Sequence, residues 1–212
     1  MRHPMSSLSL LALVIAGPGL ASAAPAPFGV IPNSSLVQFE SEAPVENITG
    51  ISTEVHGSLL VDRDQPGAAT GTVAIPVASL RTGNTTRDGH LQGAEWLDAA
   101  AHPDISFAIT SVHLDGDGPL VAGAAARKGT ATGKLTVKGH ARTISAPIEV
   151  QYYAASERFE KAYIKGDVLR VKATFDVTLA DYDVNPPAHI AGVKVADTVT
   201  IHAALTASTG TK

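Results

Sequence analysis

Apolar residues recur at every second position along most of the chain. Val37 and Phe39 share a side with Gln38 and Glu40 opposite, and Val55, Leu59 and Val61 stand against Glu54, His56 and Ser58. Val73, Ile75 and Val77 repeat the pattern, as do Ile105, Phe107 and Ile109, then Leu135 and Val137, then Ile144, Ile148 and Val150. The longest run sets Leu169, Val171, Ala173, Phe175, Val177 and Leu179 against Arg170, Lys172, Thr174, Asp176 and Thr178. The last sets Val199, Ile201, Ala203 and Leu205 against Thr200, His202 and Thr206. A period of two predicts about eight strands, each with one apolar and one polar face, as in antiparallel sheet wetted on one side.

Turn chemistry separates these runs at 62–67 (DRDQPG), 115–119 (DGDGP) and 185–187 (NPP). The spacing predicts one helix, from Asn84 to Asp98, capped by Thr86 or Asp88, with Leu91, Ala94 and Leu97 on one side and weakened by Gly89 and Gly93. His102-Pro103 then ends the helical segment and opens the next strand, because a residue before proline is driven to extended geometry. Strands with a single apolar face close into a barrel or stack as a two-sheet sandwich. An eight-stranded barrel either fills itself or holds one small ligand. Aromatics are only 5% of the residues, and Val, Ile, Leu and Ala leave space unfilled more readily than Phe or Trp. A dry, self-filled core is the other outcome.

The first residues read as an export address rather than as fold. Met1-Arg2-His3 is a short basic start, Leu8 to Ala16 is an apolar run too short to span a bilayer comfortably, and Ala21-Ser22-Ala23 offers small residues before a cut. Residues 1–23 are thus expected to be a signal peptide and 24–212 a single domain, periplasmic or secreted, with no stable membrane span after cleavage. A net charge of −4 supplies no basic field for nucleic acid. The absence of cysteine removes disulfides, thiolate nucleophiles and zinc–thiolate sites, so stability must come from a core.

Three blocks carry a resemblance. Residues 79–109 read SLRTGNTTRDGHLQGAEWLDAAAHPDISFAI, 133–143 read GKLTVKGHART, and 179–199 contain Ala180-Asp181-Tyr182-Asp183. Together with looser matches at Ser35–Phe39 and Gly57–Val61, they resemble the YceI-like family over about 31–207. The resemblance implies an all-β, eight-stranded antiparallel lipocalin-like barrel with a short helix between strands. It also implies export, and a polyisoprenoid or other long amphiphilic lipid held in the lumen with its head group at one mouth. The chain departs from the family pattern at Ala180, where an arginine is usual, at Asp183, where glycine is usual, and at His140, where the residue is usually apolar.

On this reading the lumen is lined by Val37, Phe39, Val55, Leu59, Val73, Ile75, Phe107, Ile148, Val150, Phe175 and Val177. Arg87, Asp88, His90 and Trp96 are the candidates for the mouth. Asp88 doubles as a helix cap, Arg87 as the partner of a nearby acid, and Trp96 as packing over a barrel end. No GxSxG or HExxH spacing is present, and the Asp115–Gly118 turn lacks the third ligand and bidentate Glu of a calcium loop. No catalytic residue, metal or cofactor is assigned. Three function classes follow: a lipid carrier with an open apolar tunnel, an enzyme with acids and histidines converging inside it, or a filled barrel acting through its surface.

Overall fold

The computed structural model describes residues 24–211, so the expected signal peptide over 1–23 lies outside the described residues. Among the described residues there are ten strands: β1 (Ala26–Val30), β2 (Leu36–Glu42), β3 (Asn47–Ser52), β4 (His56–Val61), β5 (Thr70–Pro76), β6 (Asp104–Leu114), β7 (Arg127–Val137), β8 (His140–Tyr153), β9 (Val168–Thr178) and β10 (Thr198–Ser208). Helix α1 (Thr85–Gln92) lies between β5 and β6, and α2 (Glu157–Lys161) between β8 and β9. Neighbouring strands pair antiparallel in the order β1-β4-β5-β6-β7-β8-β9-β10, and the ring shuts where Gly29 meets Ser208 and Val30 meets Ala207. This closed eight-stranded barrel is the expected architecture. Strands β2 and β3 extend it as a hairpin on the first half of β10, where Phe39 faces Ile201 and Val37 faces Ala203.

Two strands escape the period-two reading. β1 offers just Phe28 and Val30 as buried side chains beside Pro27 and Gly29. The buried side of β3 is Ile48, Gly50 and Ser52, of which one is a hydrophobe. In both, backbone pairing rather than side-chain pattern makes the strand. Two expected strands also run over: β5 stops at Pro76 and β9 at Thr178, and Val77 and Leu179 each begin a short 3-10 turn.

β6 corrects its own phase. Ile105, Phe107 and Ile109 face inward, then the register shifts between Ile109 and Ser111, and Val112 and Leu114 take over the inward positions. One extra residue at Thr110 thus keeps an eleven-residue strand apolar inside despite a broken alternation.

The helix is shorter than expected, ending at Gln92 rather than Asp98. Its cap is Asn84, not Thr86 or Asp88: the Asn84 Oδ1 accepts from the backbone N–H groups of Thr86 and Arg87, both at 3.1 Å. The segment carrying α1 is stitched to β3 by Ile51 and Arg81, whose backbones exchange hydrogen bonds of 2.8 and 2.9 Å, and by the buried Ser52–Ser79 hydroxyl pair at 2.6 Å. These ties hold the helix over one end of the barrel.

Candidate functional site

The barrel is hollow. A cavity of about 540 Å³ runs along its axis, and ten of the eleven expected lumen residues line it. Val55 does not. It lies in the bend between β3 and β4, fully buried at 0% exposure and packed into the surrounding core. The alternation that placed it beside Leu59 fails because residues 53–55 belong to no strand.

The space has two sources in the sequence. The first is small residues at inward positions: Ala131 stands opposite Ala146 on β7 and β8, and Ala173 opposite Ala203 on β9 and β10. The second is the disposition of two rings. A Cβ placed on Gly133 would sit 2.7 Å from Cζ of Phe107, so that ring lies on the glycine of the neighbouring strand, and Phe39 lies likewise on Gly50. The rings cover the wall and leave the axis free. A self-filled core would need larger side chains at these alanines, and the chain does not supply them.

Charge is confined to one end. The charged residues among those lining the cavity are Glu46, Arg87 and Lys194, with His90 beside them on α1. His90 and Lys194 are exposed, whereas Val61, Leu114 and Leu120 at the opposite end are buried, which identifies the polar end as the mouth. Arg87 donates from Nη1 to Glu46 Oε1 at 2.6 Å and from Nε to Thr82 Oγ1 at 3.0 Å. The Thr82 hydroxyl in turn donates to Asp88 Oδ1 at 2.7 Å, and the Thr82 backbone N–H donates to the same oxygen at 2.8 Å. These bonds hold the Asp88 carboxyl below its ordinary range. Of the four expected mouth residues, Arg87, His90 and Trp96 line the cavity; Asp88 is buried behind them and braces the turn before the helix.

Glu46 and Lys194 were not visible in the sequence, because each sits on a turn with no periodicity to mark it. Asp183 explains a departure noted above. Its φ is 54°, the left-handed region that favours glycine. Asn185 Nδ2 donates to its carboxylate at 2.9 Å and Lys138 Nζ to its carbonyl at 2.8 Å, so aspartate is tolerated there.

The far end is shut by side chains and a polar clasp. Leu120 and Pro66 cover the lumen, and the Leu120 N–H donates to the Arg63 carbonyl at 2.7 Å. The Tyr152 hydroxyl donates to Asp167 Oδ2 at 2.6 Å, and burial, followed by that bond, raises its phenol above the ordinary value. Tyr182, which lines the cavity near the mouth, is raised by burial as well.

The model of the YceI-like domain matches residues 28–207. Protein YceI of Escherichia coli O6:H1 is 37% identical over 68 residues, which are 32% of this chain and 36% of that protein. The alignment therefore spans about a third of that relative. Among solved structures, BcnA of Burkholderia cenocepacia superposes with a TM-score of 0.65 at 22% identity, covering 84% of this chain and 99% of that one. A polyisoprenoid binding domain from Saccharophagus degradans, implicated in plant cell wall breakdown, gives 0.61 at 16% identity over 85% and 97%. Both share the barrel.

Proposed function

The chain belongs to the YceI-like family, and from that footing we propose that it is an exported, non-enzymatic protein that holds a polyisoprenoid or similar long-chain amphiphile in its lumen. The observation that carries the reading is an apolar cavity of about 540 Å³ whose charged lining groups all lie at its mouth. That geometry matches a molecule with a long greasy tail and one polar end.

The volume sets a length. A cavity of about 150 Å³ accommodates benzene, or about 25 Å³ per carbon, so this one holds on the order of twenty carbons, four isoprene units. Burying them is worth roughly 16 kcal/mol at about 0.8 kcal/mol per carbon. Association costs on the order of 4–15 kcal/mol, so a tail of this length binds with a surplus and a much shorter one does not. The tail lies against Phe39, Phe107, Phe175 and their aliphatic neighbours, with the head group beside Arg87, His90 and Lys194. Val55 supports the wall from behind. An enzyme on the same cargo would want acids and histidines along the lumen, and the lining below the mouth is aliphatic and aromatic.

Native mass spectrometry of the purified protein tests the reading. Expected is a retained lipid, or uptake of added geranylgeraniol after delipidation. A clean apo mass from several hosts, with no uptake of added prenols, overturns it. Export is tested in the same spectrum: expression of the full chain in a bacterium gives a mature protein starting at Ala24, and an intact Met1 terminus in the soluble fraction refutes it.

A further inference from the structure

A cargo of this kind cannot reach the mouth through water. The free energy that holds a four-unit tail in the lumen also holds it in a membrane, so free diffusion of the monomer between the two is negligible. The protein therefore needs a place where its mouth meets a lipid phase.

The rim offers one. The β2–β3 hairpin turns at Pro44 and Val45, both exposed, and its ends are joined by a bond from the Ala43 N–H to the Glu46 carbonyl at 3.2 Å. Across the rim, the loop between β9 and β10 makes a tight turn at Gly192, whose φ of 66° lets it project Val193 outward. The two tips are bonded to each other, Val45 N–H to Val193 carbonyl at 3.0 Å. Val45 is 67% exposed and Val193 44%, so two aliphatic side chains stand together in water. Their immediate neighbours, Glu46 and Lys194, line the cavity, which fixes the pair at the opening itself. Glu46 is held by Arg87, which leaves the Lys194 ammonium as the cation next to the apolar tips, suited to a lipid phosphate.

We propose that the paired tips Pro44-Val45 and Val193-Lys194 form a membrane-docking rim, which seats the mouth on an anionic bilayer during loading and release. The proposal rests on the lipid-binding reading above. The shallow insertion of two valines and one lysine suits a brief encounter, since a single lipid chain already gives marginal, reversible attachment and these side chains bury less. The chemistry of docking is thus apolar contact with interfacial acyl chains plus one charge contact to a head group.

The test is the transfer of geranylgeraniol from protein loaded in detergent, then freed of detergent, to vesicles of equal parts phosphatidylcholine and phosphatidylglycerol. For the unaltered protein the transfer rate should rise with vesicle concentration, the mark of collision. In V45D/V193D it should fall about tenfold or more, the order expected from losing a valine's burial, while the prenol bound per protein in native mass spectra stays the same. L60D, which alters an apolar residue 45% exposed on the outer wall, should transfer at the unaltered rate. A rate independent of vesicle concentration, an unimpaired V45D/V193D, or an L60D as slow as the double variant overturns the docking rim and leaves lipid binding standing. Failure of the unaltered protein to load any prenol overturns both.

Discussion

The bore of the barrel can be shortened by a known amount. Ala173 faces the lumen at mid-height on β9, beside Ile148 on β8 and Ala203 on β10. Ala173→Phe adds a phenyl ring there, and a six-carbon ring occupies about 150 Å³, leaving roughly 390 Å³ of the original space. That is room for roughly fifteen carbons, one isoprene unit fewer. A four-unit tail must then leave about five carbons unburied, a loss of about 4 kcal/mol, close to a thousandfold in affinity. A three-unit tail loses nothing. The assay is competition of farnesol and geranylgeraniol for the delipidated protein, read by native mass spectrometry, with circular dichroism to confirm the barrel. Expected is a sharp fall for geranylgeraniol with farnesol unchanged. Equal losses at both lengths, or no loss at either in a folded variant, would show that the tail does not lie along this axis.

Other consequences follow from the same geometry. Phe107→Asp and Val150→Asp each place an unpaired carboxylate in the lumen and should cost several kcal/mol or abolish lipid uptake, whereas Gln151→Asp, on the outer face, should shift the melting temperature little. Tyr152→Phe removes the bond to Asp167 and should destabilise by about 1–3 kcal/mol in urea unfolding at neutral pH. Because folding raises the Tyr152 and Tyr182 phenols, the stability they contribute is complete below about pH 10 and lost as pH rises through their folded values. The double Phe variant should therefore show a shallower alkaline loss, followed by absorbance and ellipticity together. Asp88 behaves oppositely: its folded value is lowered, so its contribution is present above the ordinary carboxyl range and disappears as pH falls through the folded value. Thr82→Ala should move the acid unfolding midpoint to higher pH.

Most of the fold was legible because strands in a one-sided sheet must alternate, and β4 to β10 do so with Val, Ile and Leu. What escaped did so for local reasons. β1 offers only Phe28 and Val30, too short a repeat to mark a period, and β3 places Gly50 and Ser52 beside the lone hydrophobe Ile48 on its buried side. Val55 kept the right phase and lay in a bend instead. The emptiness of the lumen depends on Ala131, Ala146, Ala173 and Ala203 meeting in register, and register is invisible until strands are paired. The mouth was half legible: the TTRDGH stretch drew attention to Arg87 and His90, but its counter-charge Glu46 arrives from a hairpin forty-one residues away. The cap went to Asn84 because its side chain reaches two N–H groups at once, leaving Asp88 free to accept from Thr82.

The cylinder is sealed by its first and last staves. β10 bonds β9 along its whole length while also touching β2 and β1, and the join between Gly29 and Ser208 spans nearly the entire described chain. A polypeptide emerging from a ribosome therefore encloses nothing until its final stave is available, however well the earlier hairpins have formed. Cargo can be taken up only by a finished vessel. Losing β10 would leave an open, greasy sheet rather than a smaller container, so premature termination should be seen as aggregation and not as reduced capacity.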